Sequence, residues 1–206
     1  MPLLMFQKSI VTLTYSFILF CCFSCASITP QKTSIANNDH QQIFWNQLQS
    51  LCGKAFVGSV ENPSATDTAF QNKALIMHVR SCSDNVIRIP FFVGADRSRT
   101  WVFTRGKDGI KLKHDHRHRD GSEDSVTQYG GYTTNSGSGS VQVFPADQFT
   151  VNMLPAAATN VWWVEVIPGK TFSYNLRRVS TNRLFTVKFD LTKPKDAPEA
   201  PWGWKD

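Results

Sequence analysis

The sequence has few cysteines and, after its first 25 residues, no apolar run that could span a membrane. Only Cys52 and Cys82 lie beyond that point, and a transmembrane helix needs about 20 consecutive apolar residues. Charged residues make up only 18% of the chain, against 41% hydrophobic and 12% aromatic residues, so the chain is too apolar for intrinsic disorder. We therefore expect one globular domain of about 150 residues with its own hydrophobic core.

The motifs of several large enzyme classes are also missing. The chain has no Gly-x-Ser-x-Gly elbow, no phosphate-binding glycine loop and no His-Glu-x-x-His helix, which are the signatures of α/β-hydrolases, P-loop proteins and zinc metalloproteases. Cys52 and Cys82 lack the flanking residues of a catalytic thiol. These absences favour a protein that is not an enzyme, while hydrolase or isomerase chemistry built from His116, Glu165 and a further acid stays open.

The first 25 residues have the pattern of an export signal. Lys8 supplies the positive charge, and "IVTLTYSFILFCCF" is an apolar region of the usual length. Cys25 after Ser24 resembles a lipobox, in which the cysteine is lipidated; Ser24 and Ala26 alternatively form a site for ordinary signal peptidase, and an uncleaved anchor is the third option. We favour a lipid-anchored protein of the bacterial periplasm or outer membrane, with soluble secretion as the alternative.

An oxidising compartment gives the two remaining cysteines a role. A disulfide between Cys52 and Cys82 would close a loop of about 30 residues and stabilise the fold by about 3 to 4 kcal/mol; two buried free thiols are the alternative. The chain is then divided by composition into a signal peptide (1–25), a polar tether (26–40), a barrel domain (41–192) and a C-terminal tail (193–206).

Periodicity predicts one helix followed by many strands. The stretch "DHQQIFWNQLQSLCG" begins with Asp39 as N-cap and Gln42 as its capping-box partner, and Gly53 ends it. A second short helix is expected in "PADQFTVNMLPAAATN", starting at Pro145 with Phe149, Met153 and Leu154 on one side. Alternation with a period of two predicts strands near 55–60, 74–81, 86–93, 99–105, 110–118, 126–133, 140–144, 161–167, 171–178 and 183–191.

The turns between these strands are too short for crossover helices, so neighbouring strands must pair antiparallel. A meander of eight to ten strands exposes its edges unless it closes, and closure gives an up-and-down barrel. We therefore predict an all-β, calycin-like barrel with a short N-terminal helix and one short helical connection; a two-sheet sandwich is the runner-up. A barrel of this size can hold one small ligand.

Several longer motifs carry a resemblance. The stretches "FWNQLQSLCGKAFVG", "IRIPFFVGADRSRTW", "LKHDHRHRDGSED", "FPADQFT" and "LPAAATNVWWVE" are similar to those of a family of exported bacterial proteins of no established activity. The resemblance covers roughly residues 43–192 and implies an exported bacterial protein. The order of elements, a helix and then a meander, resembles the lipocalin-like (calycin) barrels.

The candidate site is the stretch "KLKHDHRHRDGSED", residues 111–124. If 110–118 is a strand, the side chains of Ile110, Leu112, His114, His116 and His118 share one face. The opposite face carries only charged side chains: Lys111, Lys113, Asp115, Arg117 and Arg119. This strand would run from an apolar core into a polar region on the same inner face, as expected at the mouth of a ligand-holding barrel.

Three roles compete for these histidines. As ligand-binding groups, they would hold a small polar molecule with Arg97, Arg99 and Glu165, the last expected to point inward beside Trp163. As metal ligands, His114 and His116 are about 7 Å apart at Cα and could share a zinc ion. As structural groups, they would hydrogen-bond to carboxylates, the commonest outcome for buried polar clusters. Candidate third metal ligands are Asp120, Glu123, Asp124, His78 and Glu165.

The net charge of +6 is concentrated in one stretch. Residues 97–119 hold eight basic and two acidic residues, which suggests either an anionic partner or a solvated outer face. An envelope-docking protein that uses Lys111, Lys113, Arg117 and Arg119 is thus a third possible function. We expect a monomer that binds a small molecule and no nucleic acid, because the chain has no stacking motif for bases.

Overall fold

The computed structural model describes residues 39–61, 63–64 and 67–205. The expected signal peptide, its Cys25 and nearly all of the tether lie outside the described residues. The described part contains two helices, α1 (His40–Ser50) and α2 (Gln148–Met153). Its strands are β1 (Ala55–Glu61), β2 (Leu75–His78), β3 (Ser81–Cys82), β4 (Val86–Val93), β5 (Asp96–Gly106), β6 (Gly109–His116), β7 (Tyr129–Tyr132), β8 (Val141–Pro145), β9 (Asn160–Ile167), β10 (Thr171–Arg178) and β11 (Leu184–Asp190).

These strands form one antiparallel sheet that is nearly closed into a barrel. The order across the sheet is β7-β6-β5-β4-β2-β1-β11-β10-β9-β8, and β3 pairs with β4 beside β2. Strands β1 and β11 pair, with Gly58 opposite Phe189, so the two ends of the meander meet. The predicted up-and-down barrel is confirmed, and the continuous sheet excludes the two-sheet sandwich.

The seam of the barrel lies between β7 and β8, which end the strand order. Here Thr150 of α2 bridges the gap: its hydroxyl accepts from the Gly130 N–H at 2.7 Å and donates to the Gly130 carbonyl at 2.8 Å. The Asp147 N–H donates to the same carbonyl at 2.9 Å. A Cβ on Gly131 would collide with the Pro145 carbonyl oxygen, so the "YGG" of β7 permits the close approach of the two strands.

Helix α1 closes one end of the barrel. Phe44, Trp45 and Leu48 are fully buried, and the Asp39 carboxylate caps the helix by accepting from the N–H groups of the following turn. The predicted capping box is incomplete because the Gln42 side chain donates to Asn46 instead of returning to the cap. A disulfide joins Cys52 at the end of α1 to Cys82 of β3, with Cα atoms 6.3 Å apart, and fixes the helix to the barrel wall as predicted.

Two connections differ from the sequence prediction. Pro145 ends β8 rather than starting α2, whose N-cap is Asp147, and Phe149 is exposed. The expected strand 74–81 is interrupted between β2 and β3, where the Val79 N–H bonds back to Lys54. The tail after β11 packs along the outer wall: Lys195 bonds to Ala55, and the Trp202 N–H donates to the Arg97 carbonyl. Neither described helix is long and apolar enough to cross a bilayer.

Candidate functional site

Strand β6 carries the predicted histidines on the inner face of the barrel. Ile110, Leu112 and His114 are buried in alternation, while Lys111 and Lys113 on the other face are half-buried. The predicted alternation is therefore confirmed as far as His114. The strand passes from the α1 end to the opposite, open end, whose rim includes Phe70 of the short 3₁₀ helix Thr68–Phe70, and His116, the last residue of the strand, lies there.

His114 is fully engaged by the protein. Its Nδ1 lies 2.9 Å from the Tyr129 carbonyl oxygen, which can only accept, so Nδ1 carries the proton. Its Nε2 must then accept from the Tyr174 hydroxyl at 2.6 Å. The imidazole also stacks on the Tyr129 ring at 4.3 Å. Burial lowers the pKa of His114 to about 3, and this histidine is neutral at ordinary pH.

His116 lies at the rim, half-buried, with its Nε2 3.2 Å from the Tyr129 hydroxyl. Burial, and then the nearby Arg99 guanidinium, lower its pKa although Asp124 and other acids oppose the shift. The Tyr129 phenol is buried against both histidines, and this burial raises its pKa to about 12. Tyr129 therefore remains a neutral hydroxyl that can donate to His116 or to a bound molecule.

His118 leaves the barrel. Strand β6 ends at His116, and a tight turn follows in which the His118 N–H donates to the Ser122 carbonyl at 2.8 Å and the Gly121 N–H donates back at 2.9 Å. The Asp120 carboxylate stabilises this turn by accepting from Ser122. The side chain of His118 is exposed, so alternation along an extended strand does not apply to it.

The inner wall near His114 is an aromatic layer. Trp101 of β5 stacks on Tyr174 of β10 at 4.4 Å with 15° between the ring planes, and on Phe91 of β4 at 4.9 Å with 14°. Such offset stacking is the favoured arrangement of aromatic pairs. Trp162 packs against both His114 and Tyr129, at 5.3 and 5.8 Å.

Above this layer lies a cavity of about 280 Å³ at the open end of the barrel. This mouth cavity is lined by the aromatic layer, by Phe70 and Phe185 at its rim, and by four cationic or basic groups, Arg99, Arg178, Arg183 and His116. Its volume lies just below the range of about 300 to 1,000 Å³ found for drug-sized ligand pockets. The mouth cavity can therefore hold a small molecule but not a large one.

The three arginines of the mouth cavity differ in their partners. Arg99 pairs with Asp96 on its own strand, and Arg183 pairs with Asp67 at 2.6 Å. Arg178 donates through Nε to the neutral amide oxygen of Asn160 at 2.9 Å. Within the described residues no carboxylate forms an ion pair with Arg178.

Besides His118, two further predicted site residues lie away from the mouth cavity. Arg97 forms an ion pair with Glu199 of the tail, on the outer wall. Glu165 lies on the outer face of β9, because Trp162, Val164 and Val166 are the buried residues of that strand. The expected inward orientation of Glu165 is wrong: of two adjacent tryptophans, Trp162 rather than Trp163 is the inward one.

The described residues do not assemble a metal site. Across 39–61, 63–64 and 67–205, no three His, Cys, Asp or Glu side chains come together as ion ligands. Both ring nitrogens of His114 already face protein partners. Of the candidate third ligands, Glu123 pairs with Arg117 at 3.0 Å and Asp124 accepts from the Val126 N–H at 2.8 Å.

The basic stretch is partly neutralised on the outer wall. Lys113 pairs with Asp147 at 2.6 Å, and Arg117 pairs with Asp115 at 2.9 Å and with Glu123. Charges that pair internally attract an anionic partner less strongly than the net charge suggests. Lys111 and Arg119, the other two residues expected to dock on an envelope surface, form no ion pair among the described residues, and docking stays a prediction.

Most of the residues that line the mouth cavity escaped the sequence analysis, among them Tyr129, Asn160, Tyr174, Arg178 and Arg183. Tyr174, Leu176 and Arg178 occupy alternate positions of β10, so the alternation that located His114 also contains the signal for them. Comparison of the chain with protein-family models, with curated proteins and with solved structures gives no match. The resemblance to a family of exported bacterial proteins therefore stays a prediction.

Proposed function

We propose that the chain binds a small ligand in the mouth cavity of its barrel. The observation that carries this proposal is the asymmetry of the barrel interior. One end is filled by the buried side chains of α1, and the other holds a cavity of about 280 Å³ lined by aromatic rings and polar groups. A concave, mostly apolar site with a few convergent polar groups is the usual form of a small-molecule site.

The polar groups of the mouth cavity are suited to recognition rather than to nucleophilic chemistry. His114 is neutral, and both of its ring nitrogens are hydrogen-bonded to protein groups. The Tyr174 hydroxyl donates its proton to His114, whereas the neutral Tyr129 hydroxyl beside His116 can donate to a ligand. These groups present fixed donors and acceptors above an aromatic surface, and we propose a binding protein and not an enzyme.

We also propose that the protein acts outside the cytoplasm, attached to the membrane through a lipid on Cys25. The Cys52–Cys82 disulfide supports export, because disulfides persist in oxidising compartments. Incorporation of labelled palmitate into the full chain, and its loss in Cys25→Ser, tests the anchor. A chain that incorporates no lipid while still being exported would leave soluble secretion as the route.

The binding proposal is tested by nuclear magnetic resonance with ¹⁵N-labelled protein and small aromatic and branched aliphatic fragments, each as acid, amide and amine. At a ligand efficiency of about 0.3 kcal/mol per heavy atom, a substituted naphthalene of about 13 heavy atoms binds with a dissociation constant of about 1 mM. We expect saturable shifts of the amides of Trp101, Tyr129 and Asn160. Shifts that saturate elsewhere, or none with any fragment, would contradict the proposal.

A matched pair of variants controls this experiment. Leu176 lines the mouth cavity, whereas Leu184 on the neighbouring strand is exposed on the outer face at the same end of the barrel. Leu176→Trp fills the cavity and should abolish the shifts. Leu184→Trp adds the same side chain outside the cavity and should leave the shifts unchanged.

A further inference from the structure

The charge of the mouth cavity has one sign. Its lining includes the cations Arg99, Arg178 and Arg183, and no aspartate or glutamate occurs among the described residues that line it. A concave site of low polarity concentrates the field of such groups. The cavity is therefore electrostatically suited to an anion and disfavours a cation.

Arg178 is the arginine best placed to bind that anion. Asp96 and Asp67 already neutralise Arg99 and Arg183, whereas Arg178 is held through Nε by the neutral Asn160 side chain. This bond orients the guanidinium and leaves its two terminal nitrogens without a hydrogen bond to any described residue. A planar fork of two N–H donors matches the two oxygens of a carboxylate.

The number of uncompensated cations limits the charge of the ligand. A doubly charged phosphate ester would bring two negative charges to a rim where one guanidinium lacks a carboxylate partner, and a desolvated, unpaired charge is costly. A carboxylate brings one. The charge balance of the described residues thus favours a singly charged acid.

The aromatic layer limits the polarity of the ligand. The rings of Phe91, Trp101 and Tyr174 stack on one another in consecutive pairs, so their faces are largely covered by each other and they give the cavity a rigid, apolar wall. An apolar ligand body is favoured on such a wall because it displaces water without leaving polar groups unpaired. The volume of about 280 Å³ restricts the ligand to about two fused rings.

From these features we infer that the mouth cavity binds a small apolar monocarboxylic acid, with its apolar body against the aromatic wall and its carboxylate on Arg178. This inference rests on the proposed function, because it names the class of ligand for the same cavity. Neutral analogues of the same shape lose the charged hydrogen bonds and bind more weakly.

The test uses three probes of one shape: 2-naphthoate, 2-naphthamide and 2-naphthylmethylamine, titrated into the full chain at constant ionic strength. We expect the carboxylate to bind about tenfold or more tightly than the amide, since hydrogen bonds to charged groups exceed neutral ones by about that factor. The amine should bind most weakly. In Arg178→Gln the preference for the carboxylate over the amide should disappear, with little change in the affinity of the amide.

Arg177→Gln is the matched control, since Arg177 precedes Arg178 on β10 but is exposed on the outer face. It should keep the full preference. Arg178→Lys keeps the charge without the fork and should retain part of it, which separates recognition from any change in folding. If the amide binds as tightly as the carboxylate, the ligand class is wrong while the binding function stands. The same conclusion follows if Arg178→Gln and Arg177→Gln show the same preference for the carboxylate over the amide. If none of the probes or fragments shifts the mouth amides, the binding function itself fails.

Discussion

His114 of β6 and Tyr174 of β10 share a hydrogen bond of 2.6 Å across the interior of the barrel, between strands that are not neighbours in the sheet. The imidazole is 3% exposed, and the Tyr129 carbonyl fixes its tautomer from the other side. Because both ring nitrogens are satisfied without a charge, the neutral imidazole is the form that the fold accommodates. Protonation of His114 would therefore turn Nε2 into a donor, reverse the hydrogen bond with Tyr174 and bury a charge.

We expect the stability of the protein to fall as the pH is lowered from about 6.5 to about 3, in part through His114. Burial lowers the pKa of this histidine from 6.5 to about 3, so within that window the unfolded chain binds a proton that the folded chain does not. Stability then rises with pH by up to about 1.4 kcal/mol per unit from this group alone. The free energy of unfolding in urea, measured at several pH values, gives the slope.

His114→Gln should reduce the slope of the free energy of unfolding against pH by up to about 1.4 kcal/mol per unit, which corresponds to one proton. The part of the slope that comes from His116 and the carboxylates should stay. Tyr174→Phe provides the comparison, because it removes the hydrogen bond but keeps the imidazole buried and should retain most of the slope. An identical slope in wild type and His114→Gln would show that this histidine is not the group held neutral by the fold.

The sequence predicts the barrel because alternation and turn chemistry act locally. Each strand of the described part starts and ends within a few residues of its expected bounds, apart from the break between β2 and β3. At this break β2, which pairs with both β1 and β4, ends, and β3 continues the pairing with β4 alone. The position of α1 over one end of the barrel follows from its apolar face, which must be buried, and from Gly53, which lets the chain turn after the helix. Such features depend on neighbours in the sequence, and one chain suffices to predict them.

The site was predicted only in part, because it depends on which strands face each other across the interior. Alternation gives the inner position of His114, but not the identity of Tyr174 as its partner. At β9 either of the adjacent residues Trp162 and Trp163 could be the one that points inward. The sequence prediction took Trp163 as inward and therefore placed Glu165 on the wrong face. His118 was misplaced because a turn anchored by Asp120 ends the strand two residues earlier.

Thr150 is expected to hold the seam of the barrel. Its hydroxyl is fully buried and makes two hydrogen bonds to Gly130, and Thr150→Val keeps the shape while leaving the N–H and carbonyl of that glycine without this partner. We expect a loss of about 1 to 3 kcal/mol in the free energy of unfolding and faster hydrogen exchange of the Gly130 amide. Thr150→Ser keeps the hydroxyl and should lose less. Equal stability of the Val and Ser variants would contradict a role for the hydroxyl.

The Cys52–Cys82 disulfide is expected to contribute about 3 to 4 kcal/mol by closing a loop with a sequence separation of 30. The Cys52→Ala, Cys82→Ala double variant should therefore unfold at a markedly lower urea concentration than the oxidised wild type. A reductant should lower the midpoint of the wild type and leave that of the double variant unchanged. Thiol reactivity at Cys52 and Cys82 themselves in the unreduced, unfolded wild type would contradict this account.

The ion pair between Asp67 and Arg183 holds the segment Asp67–Phe70 over the rim of the mouth cavity. Asp67 is 1% exposed and accepts from Arg183 at 2.6 Å and from the Ser64 N–H at 2.8 Å. Phe70, three residues later, packs on Phe185 at 4.8 Å and lines the cavity. The position of this aromatic ring over the cavity therefore depends on a buried carboxylate.

Asp67→Asn removes the negative charge beside Arg183 and should lower the free energy of unfolding at pH 7 by about 1 to 3 kcal/mol. Burial alone would raise the pKa of Asp67, but hydrogen bonds from Ser64 and Arg183 outweigh it and lower the pKa below 3.8. The stabilisation is thus present above about pH 4 and is lost as the pH falls through the lowered pKa, so wild type and variant should converge in acid. Asp190→Asn is the matched control, since the Asp190 carboxylate likewise accepts from a nearby backbone N–H, that of Thr192, but is exposed and has no arginine partner among the described residues. Urea unfolding at pH 7 and pH 3, together with the affinity for 2-naphthoate, checks both expectations: the Asp67 variant should bind more weakly because Phe70 no longer closes the rim, and unchanged binding with reduced stability would limit Asp67 to a role in folding.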